Sequence, residues 1–153
     1  AERTMRTFNP SAKAVAARGE QFLAEYEGTL NYVYMDAFDF DHGNHSEARQ
    51  ERYRSILNTE INDQECWQMH QACAAALVTK MPKDGIVVID DTWLDDNGVY
   101  VGKGKLAVPL LLATGFQVSN SANRCVALVR NETDDRTPSP ERATRVAPDV
   151  SSY

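Results

Sequence analysis

No apolar run in the 153 residues approaches the ~20 that a membrane-spanning helix needs, and the first residues lack the basic-then-apolar order of a secretion signal. No membrane partner is expected, and the chain reads as soluble. Cysteine is scarce: Cys66, Cys73 and Cys125 are the only three. An odd count, with two of the three in a helical pattern, excludes the disulfide framework of small secreted domains, so the expected setting is reducing and cytoplasmic. Basic charge is short as well, with 16 Lys and Arg against 22 Asp and Glu and a net charge of −6. That balance leaves no basic face for a phosphate backbone, and nucleic acid is not an expected partner. Glycine is sparse, and the one close pair, Gly102 and Gly104, follows a loop rather than a strand. It is therefore not a phosphate-binding or dinucleotide turn.

What is present suits one globular domain with a moderate core, since 42% of residues are hydrophobic and 25% charged. The stretch from Gly85 to Asp91 is a β-branched apolar run entered through glycine and ended by two carboxylates. It reads as a fully buried strand in the middle of a parallel sheet. Leu30 to Asp36 repeats the design, a β-rich run closed by Asp36. Between the two, Asn62 and Glu65 begin a long helix that runs to about Met81 and is stopped by Pro82. Cys66, Met69, Cys73, Ala76 and Leu77 fall on one of its faces. Strand, helix and strand together make a βαβ crossover.

The remaining pattern is shorter. Lys13 to Ala17 is read as a short strand, Arg18-Gly19-Glu20 as a turn, and Gln21 to Tyr26 as a short helix stopped at Gly28. Asn44 and Glu47 form a capping box for a helix from His45 to Leu57. Residues Thr92 to Gly104 have turn chemistry and predict one long loop. Lys105 to Thr114 predicts a helix with Pro109 near its first turn and Gly115 at its end. Phe116 to Val118 and Cys125 to Val129 predict a hairpin across Ser119 to Asn123. From Arg130 onward proline, serine, threonine and charge replace apolar residues, so 131–153 is expected to be a disordered tail. Position 1 is Ala and the chain opens on a helical pattern, which gives the expectation that a preceding segment is missing.

This order of parts resembles the C-terminal half to two-thirds of a class I S-adenosylmethionine-dependent methyltransferase, and within that superfamily the metal-dependent O-methyltransferases, where one strand ends in Asp and the next in Asp-Asp or Asp-Asn. The resemblance covers roughly Val15 to Arg130. It implies an α/β fold with a Rossmann-like, mostly parallel sheet and a C-terminal antiparallel hairpin, incomplete at the N-terminus, with residues 1–130 a partial methyltransferase-like domain. It further implies methyl transfer from S-adenosylmethionine to an oxygen of a small-molecule acceptor, assisted by Mg²⁺ or another divalent cation. By the same resemblance Gly19 and Glu20 approach the adenine side of the cofactor, Asp36 and Ala37 lie near its methionine moiety, and Asp39 stands where the family commonly has a base. The family's glycine-rich loop and the acidic residue of its second strand are not found in these residues. The implied partners are therefore the acceptor together with a missing N-terminal segment or a second copy, and the 153 residues alone are expected not to bind S-adenosylmethionine usefully.

The residues themselves allow more than one chemistry. Asp36, Asp90 and Asp91 at two neighbouring strand ends suit a hard cation that takes oxygen ligands. They equally suit turn and loop capping, where Asp is common. His42 and His45 lie within a loop's reach of Asp36 and are candidate general bases, or else belong to a helix start and a glycine turn. Arg49, Arg52 and Arg54 could grip an anionic substrate or form a solvated helix face. Cys66, His70 and Cys73 have spacing for a soft metal, but with Met69 and Leu77 beside them they read as packed core. Trp93 could wall an acceptor pocket or cover the sheet edge. The rival functions are a metal-dependent hydrolase, which would want a phosphate cradle not seen here, and a non-catalytic domain that binds a partner.

Overall fold

A computed structural model describes residues 7, 9–38 and 46–131. The expected helical opening, the candidate bases Asp39, His42 and His45, and the expected tail at 132–153 lie outside the described residues. In chain order the elements are α1 (Gly19–Glu25), β1 (Tyr32–Met35), α2 (Glu47–Leu57), α3 (Asp63–Lys80), β2 (Ile86–Ile89), β3 (Thr92–Leu94), β4 (Tyr100–Gly102), α4 (Ala107–Ala113), β5 (Phe116–Ala122) and β6 (Cys125–Arg130). Four strands form one sheet in the order β1-β2-β6-β5, and β3 and β4 form a small two-stranded sheet.

Helix α3 organises the molecule. Its cap is the one expected, since the Asn62 side chain accepts the Glu65 N–H at 2.8 Å and satisfies a first-turn donor. Cys66, Met69, His70, Cys73, Ala74 and Leu77 are its buried residues, spaced three and four apart, which lays one continuous stripe on the sheet. After the Pro82 turn the chain returns as β2, parallel to β1, with Tyr32 opposite Ile86 and Met35 opposite Ile89. The core joins Leu23, Met69, Leu77 and Leu111 from α1, α3 and α4 to Met35, Val87, Ile89, Val126 and Leu128 from the sheet.

The sheet is mixed, not mostly parallel: among the described residues β1 and β2 are its one parallel pair, while β6 runs antiparallel to both β2 and β5. Nor is β2 buried on both sides. Val87 and Ile89 are fully buried, but Ile86 and Val88 are only half-buried, beside the exposed Tyr32 and Tyr34. Residues of α1, α3 and α4 share the core with Val87 and Ile89, so the other half of the β-branched run packs less tightly than an apolar string suggests.

Several short elements also depart from expectation. Residues 12–16 have no regular structure: Val15 is exposed and alanine, the commonest residue there, gives a strand little to pack. The expected loop after Asp91 contains the β3–β4 hairpin, with Thr92 opposite Gly102 and Leu94 opposite Tyr100. Its turn is organised by Asp95, whose Oδ1 accepts the N–H groups of Asn97 and Val99, both at 2.9 Å. The terminal hairpin is longer than expected, because β5 continues to Ala122 past an irregularity between Val118 and Asn120. An exposed edge strand takes polar residues, so Ser119, Asn120 and Ser121 hid it. The turn itself is Asn123-Arg124, both at positive φ, as a two-residue hairpin loop requires. Helix α2 begins at Glu47 under a Ser46 cap, whose hydroxyl accepts the Arg49 N–H at 3.3 Å; the expected Asn44 lies outside the described residues. Helix α4 matches closely, with Pro109 in its first turn and Gly115 at φ +94° just past its end.

Candidate functional site

Asp36 follows β1, and Asp90 and Asp91 follow β2. Because Met35 is level with Ile89, Asp36 and Asp90 leave neighbouring strands side by side, and the Asp90 N–H donates to the Met35 carbonyl at 3.1 Å. One carboxylate oxygen from each of Asp36, Asp90 and Asp91 lies within 4.8 Å of the others. Asp91 turns its side chain into this group by taking φ +45°, a left-handed conformation that Asp tolerates better than most residues.

Three carboxylates this close repel, and the surrounding side chains offset the repulsion. Lys103 Nζ stands 2.6 Å from Asp36 Oδ1 and 3.4 Å from Asp91 Oδ2, on a side chain only 3% exposed. Burial works against its charge, but the hydrogen bond to Asp36 and the fields of Asp36 and Asp91 outweigh it, so its pKa rises above the ordinary lysine value. Arg124 Nη2 is 3.2 Å from Asp91 Oδ1, with its guanidinium 4.4 Å from the centre of the Trp93 ring. Cys125 Sγ donates to Asp90 Oδ1 at 2.8 Å. That thiol is the chief reason the Asp90 carboxyl lies below its usual range, against partial desolvation. The same contact raises the Cys125 thiol. Tyr34, also hydrogen-bonded to Asp90, is pushed up to about 12, by desolvation first and then by that carboxylate.

Beside the cluster a cavity of about 820 Å³ runs along β1, with Phe22, Leu23, Leu30 and Met69 as apolar wall and Asp36 and His70 among its polar groups. His70 is 1% exposed. Its Nδ1 is 2.8 Å from the Cys66 carbonyl, which can only accept, so Nδ1 carries the proton. Nε2 is left as a buried acceptor with no hydrogen-bond partner among the described residues. Desolvation lowers the His70 pKa, which keeps the ring neutral. A second cavity of about 430 Å³ is lined by Arg18, Gly19, Glu20, Ala37, Phe38 and Tyr53 among others.

The cofactor-side residues inferred from the resemblance thus line cavities: Gly19 and Ala37 border both, Glu20 the second and Asp36 the first. Glu20 is also paired with Arg18 at 2.5 Å. Arg54 is engaged with Glu47, Glu51 and Glu60 at 2.9, 3.1 and 3.0 Å, which ties it to its own surface. Cys66, His70 and Cys73 belong to the buried stripe of α3, and burial first of all pushes the Cys73 thiol up to about 12, so it is no ready metal ligand. Trp93 borders neither cavity and instead stacks under Arg124. The residues missed from sequence are Lys103, Arg124, Cys125 and Tyr34. Only Lys103 carried a local signal, a lone lysine between two glycines in the loop after a strand-end Asp.

The donor set meets the test for a hard divalent cation in kind, being three oxygen ligands from two rigid strand ends. The ammonium of Lys103 contacts two of the same three carboxylates. Compared with family models, curated proteins and solved structures, the chain gives no match. Among the described residues, no helix is long and apolar enough to cross a membrane.

Proposed function

We propose that this chain carries the acceptor and cation side of an S-adenosylmethionine-dependent methyl transfer to an oxygen of a small molecule, within a Rossmann-like fold. The observation that carries this reading is the meeting of Asp36, Asp90 and Asp91 at adjacent parallel strand ends, within 4.8 Å, at the edge where open α/β sheets bind ligands. Those three residues would hold the cation, which when bound supplies a lowered hydroxyl pKa on the acceptor. The apolar wall of the 820 Å³ cavity would orient the acceptor body. S-adenosylmethionine, when bound, would supply its sulfonium methyl group to the acceptor oxygen and leave as the thioether, and the acceptor's hydroxyl proton would pass to water. The placement of β6 between β2 and β5, beside the Asp-bearing strand, also supports the resemblance.

The test uses Mn²⁺ as probe and catechol as a two-oxygen acceptor mimic. Paramagnetic broadening should centre on Asp36, Asp90 and Asp91, catechol should alter the bound Mn²⁺ signal, and Asp91→Ala should weaken Mn²⁺ by about tenfold or more without unfolding. Calorimetry with S-adenosylmethionine on the 153 residues should show no saturable binding, since the one close glycine pair, Gly102 and Gly104 after β4, is packed against Asp91 and Thr92. Unchanged Mn²⁺ binding in Asp91→Ala, or a catechol-blind metal, would remove the case for cation-assisted transfer. A second reading, a non-catalytic binding module, is favoured by Lys103, which already neutralises part of the cluster. A cavity ligand that binds equally well with and without Mn²⁺ would decide for it.

A further inference from the structure

Among the described residues two buried side-chain nitrogens have no hydrogen-bond partner, Trp67 Nε1 and His70 Nε2. The Trp67 indole borders neither cavity and lies under Lys105, whose Nζ is 3.7 Å from the ring centre. His70, by contrast, lines the 820 Å³ cavity that runs along β1. A buried acceptor without a donor costs stability, so its place on a cavity wall calls for a physical reason.

The imidazole is fixed in orientation. Nδ1 donates to the Cys66 carbonyl one helical turn back at 2.8 Å, and the Cys66 thiol lies 3.6 Å from the same nitrogen. That thiol donates in turn to the Phe38 carbonyl at 3.6 Å, which ties the chain after β1 to α3. The ring also feels the charge of Asp36, which lines the same cavity. With Nδ1 turned back onto its own helix, Nε2 is the nitrogen left for whatever fills the cavity.

We propose that the cavity along β1 binds a neutral, largely apolar small molecule that presents a hydroxyl or N–H group to His70 Nε2. Phe22, Leu23, Leu30 and Met69 supply the apolar wall for its body. The volume of about 820 Å³ falls within the range of roughly 300–1,000 Å³ found for small-molecule sites. The polar groups select for a donor. With its proton on Nδ1, His70 offers Nε2 only as a lone pair, and an ionised Asp36 offers only carboxylate oxygens, so a ketone or carboxylate ligand would bring acceptors to acceptors. A ligand donor supplies the hydrogen bond that folding leaves unmade, and the ring held by Cys66 is already ordered to receive it. The inference shares a cavity with the proposed function but needs neither a cation nor methyl transfer.

The test uses three probes of one shape class on the 153-residue chain in EDTA: 2-naphthol, its methyl ether, and naphthalene. Calorimetry should show 2-naphthol binding about tenfold more tightly than either of the others, since it alone carries a donor. In His70→Phe, which keeps a ring but has no acceptor, the three should bind alike. A second measurement needs no variant to fold. In long-range ¹H–¹⁵N spectra of the wild-type chain, the His70 Nε2 resonance should move upfield on adding 2-naphthol and stay in place with the other two. Equal affinities in wild type, a preference for 2-naphthol that survives in His70→Phe, an unmoved Nε2 resonance at saturation, or no binding of any probe would overturn the inference. Because metal is absent throughout, none of these outcomes depends on Mn²⁺ binding at the carboxylates, and a failure there leaves the donor preference standing.

Discussion

Gly98 and Gly102 hold nearly the same backbone angle, φ +74° and +75°, but differ in what surrounds them. A Cβ at Gly98 would meet nothing within 4 Å, whereas one at Gly102 would overlap the Asp91 carbonyl and press on Trp93 Cζ3 at 2.8 Å. Replacing each by alanine therefore separates two costs. Gly98→Ala should cost only the left-handed strain, about 1–2 kcal/mol. Gly102→Ala adds backbone overpacking of about 1–3 kcal/mol, for a total of roughly 2–5 kcal/mol. Relief by movement of the turn would stretch the Lys103 N–H bond to Asp91, now 3.0 Å, and loosen the ammonium with it. Urea unfolding followed by circular dichroism gives both free energies, and thermal melts should fall by roughly 2–4 °C per kcal/mol lost. Equal losses in the two variants would refute the close approach of this turn to the strand end, and with it the docking of Lys103.

Two further outcomes are expected. Leu77→Ala, at a fully buried position on α3, should cost about 2–5 kcal/mol in urea unfolding, and a loss below about 1 kcal/mol would mean the sheet and helix do not meet there. Folding depresses the Asp90 carboxyl below its ordinary 3.8, chiefly through the Cys125 thiol. The stability it contributes is therefore present above that value and is lost as pH falls through the depressed one. Cys125→Ala should accordingly destabilise at neutral pH and differ less from wild type well below pH 3.8; a gap that is the same at both pH values would count against the contact.

The legible parts of the fold were those with redundant local signals. Helix α3 has its Asn62 cap, a repeated apolar spacing and a Pro82 stop, and β1 and β2 have β-branched residues ended by acidic ones. From those two strand ends the meeting of Asp36 with Asp90 and Asp91 followed by geometry. The rest of the site depends on contacts across long stretches of chain. Lys103 lies 67 residues from Asp36, and Cys125 lies 35 from Asp90. Nothing in the periodicity around a Gly-Lys-Gly turn says that its lysine is buried, because lysine is buried only where partners from elsewhere allow it. The mixed sheet was obscured for a related reason: strand direction is a property of pairing, and β6 has the same apolar alternation whichever way it runs.

The place of β6 constrains the order in which this chain assembles. Among the described residues the last strand made is the one that fills the sheet between β2 and β5, so β5 has no other neighbour there and β2 has β1 alone until Cys125–Arg130 has been synthesised. An emerging chain can form α3 and the β1–β2 pair early. It must nonetheless hold Val87 and Ile89 beside an open edge for the time needed to make some forty more residues, an interval in which an unpaired strand is exposed to wrong partners. β5, by contrast, is followed by its partner across only the Asn123-Arg124 turn, so the long wait falls on β2.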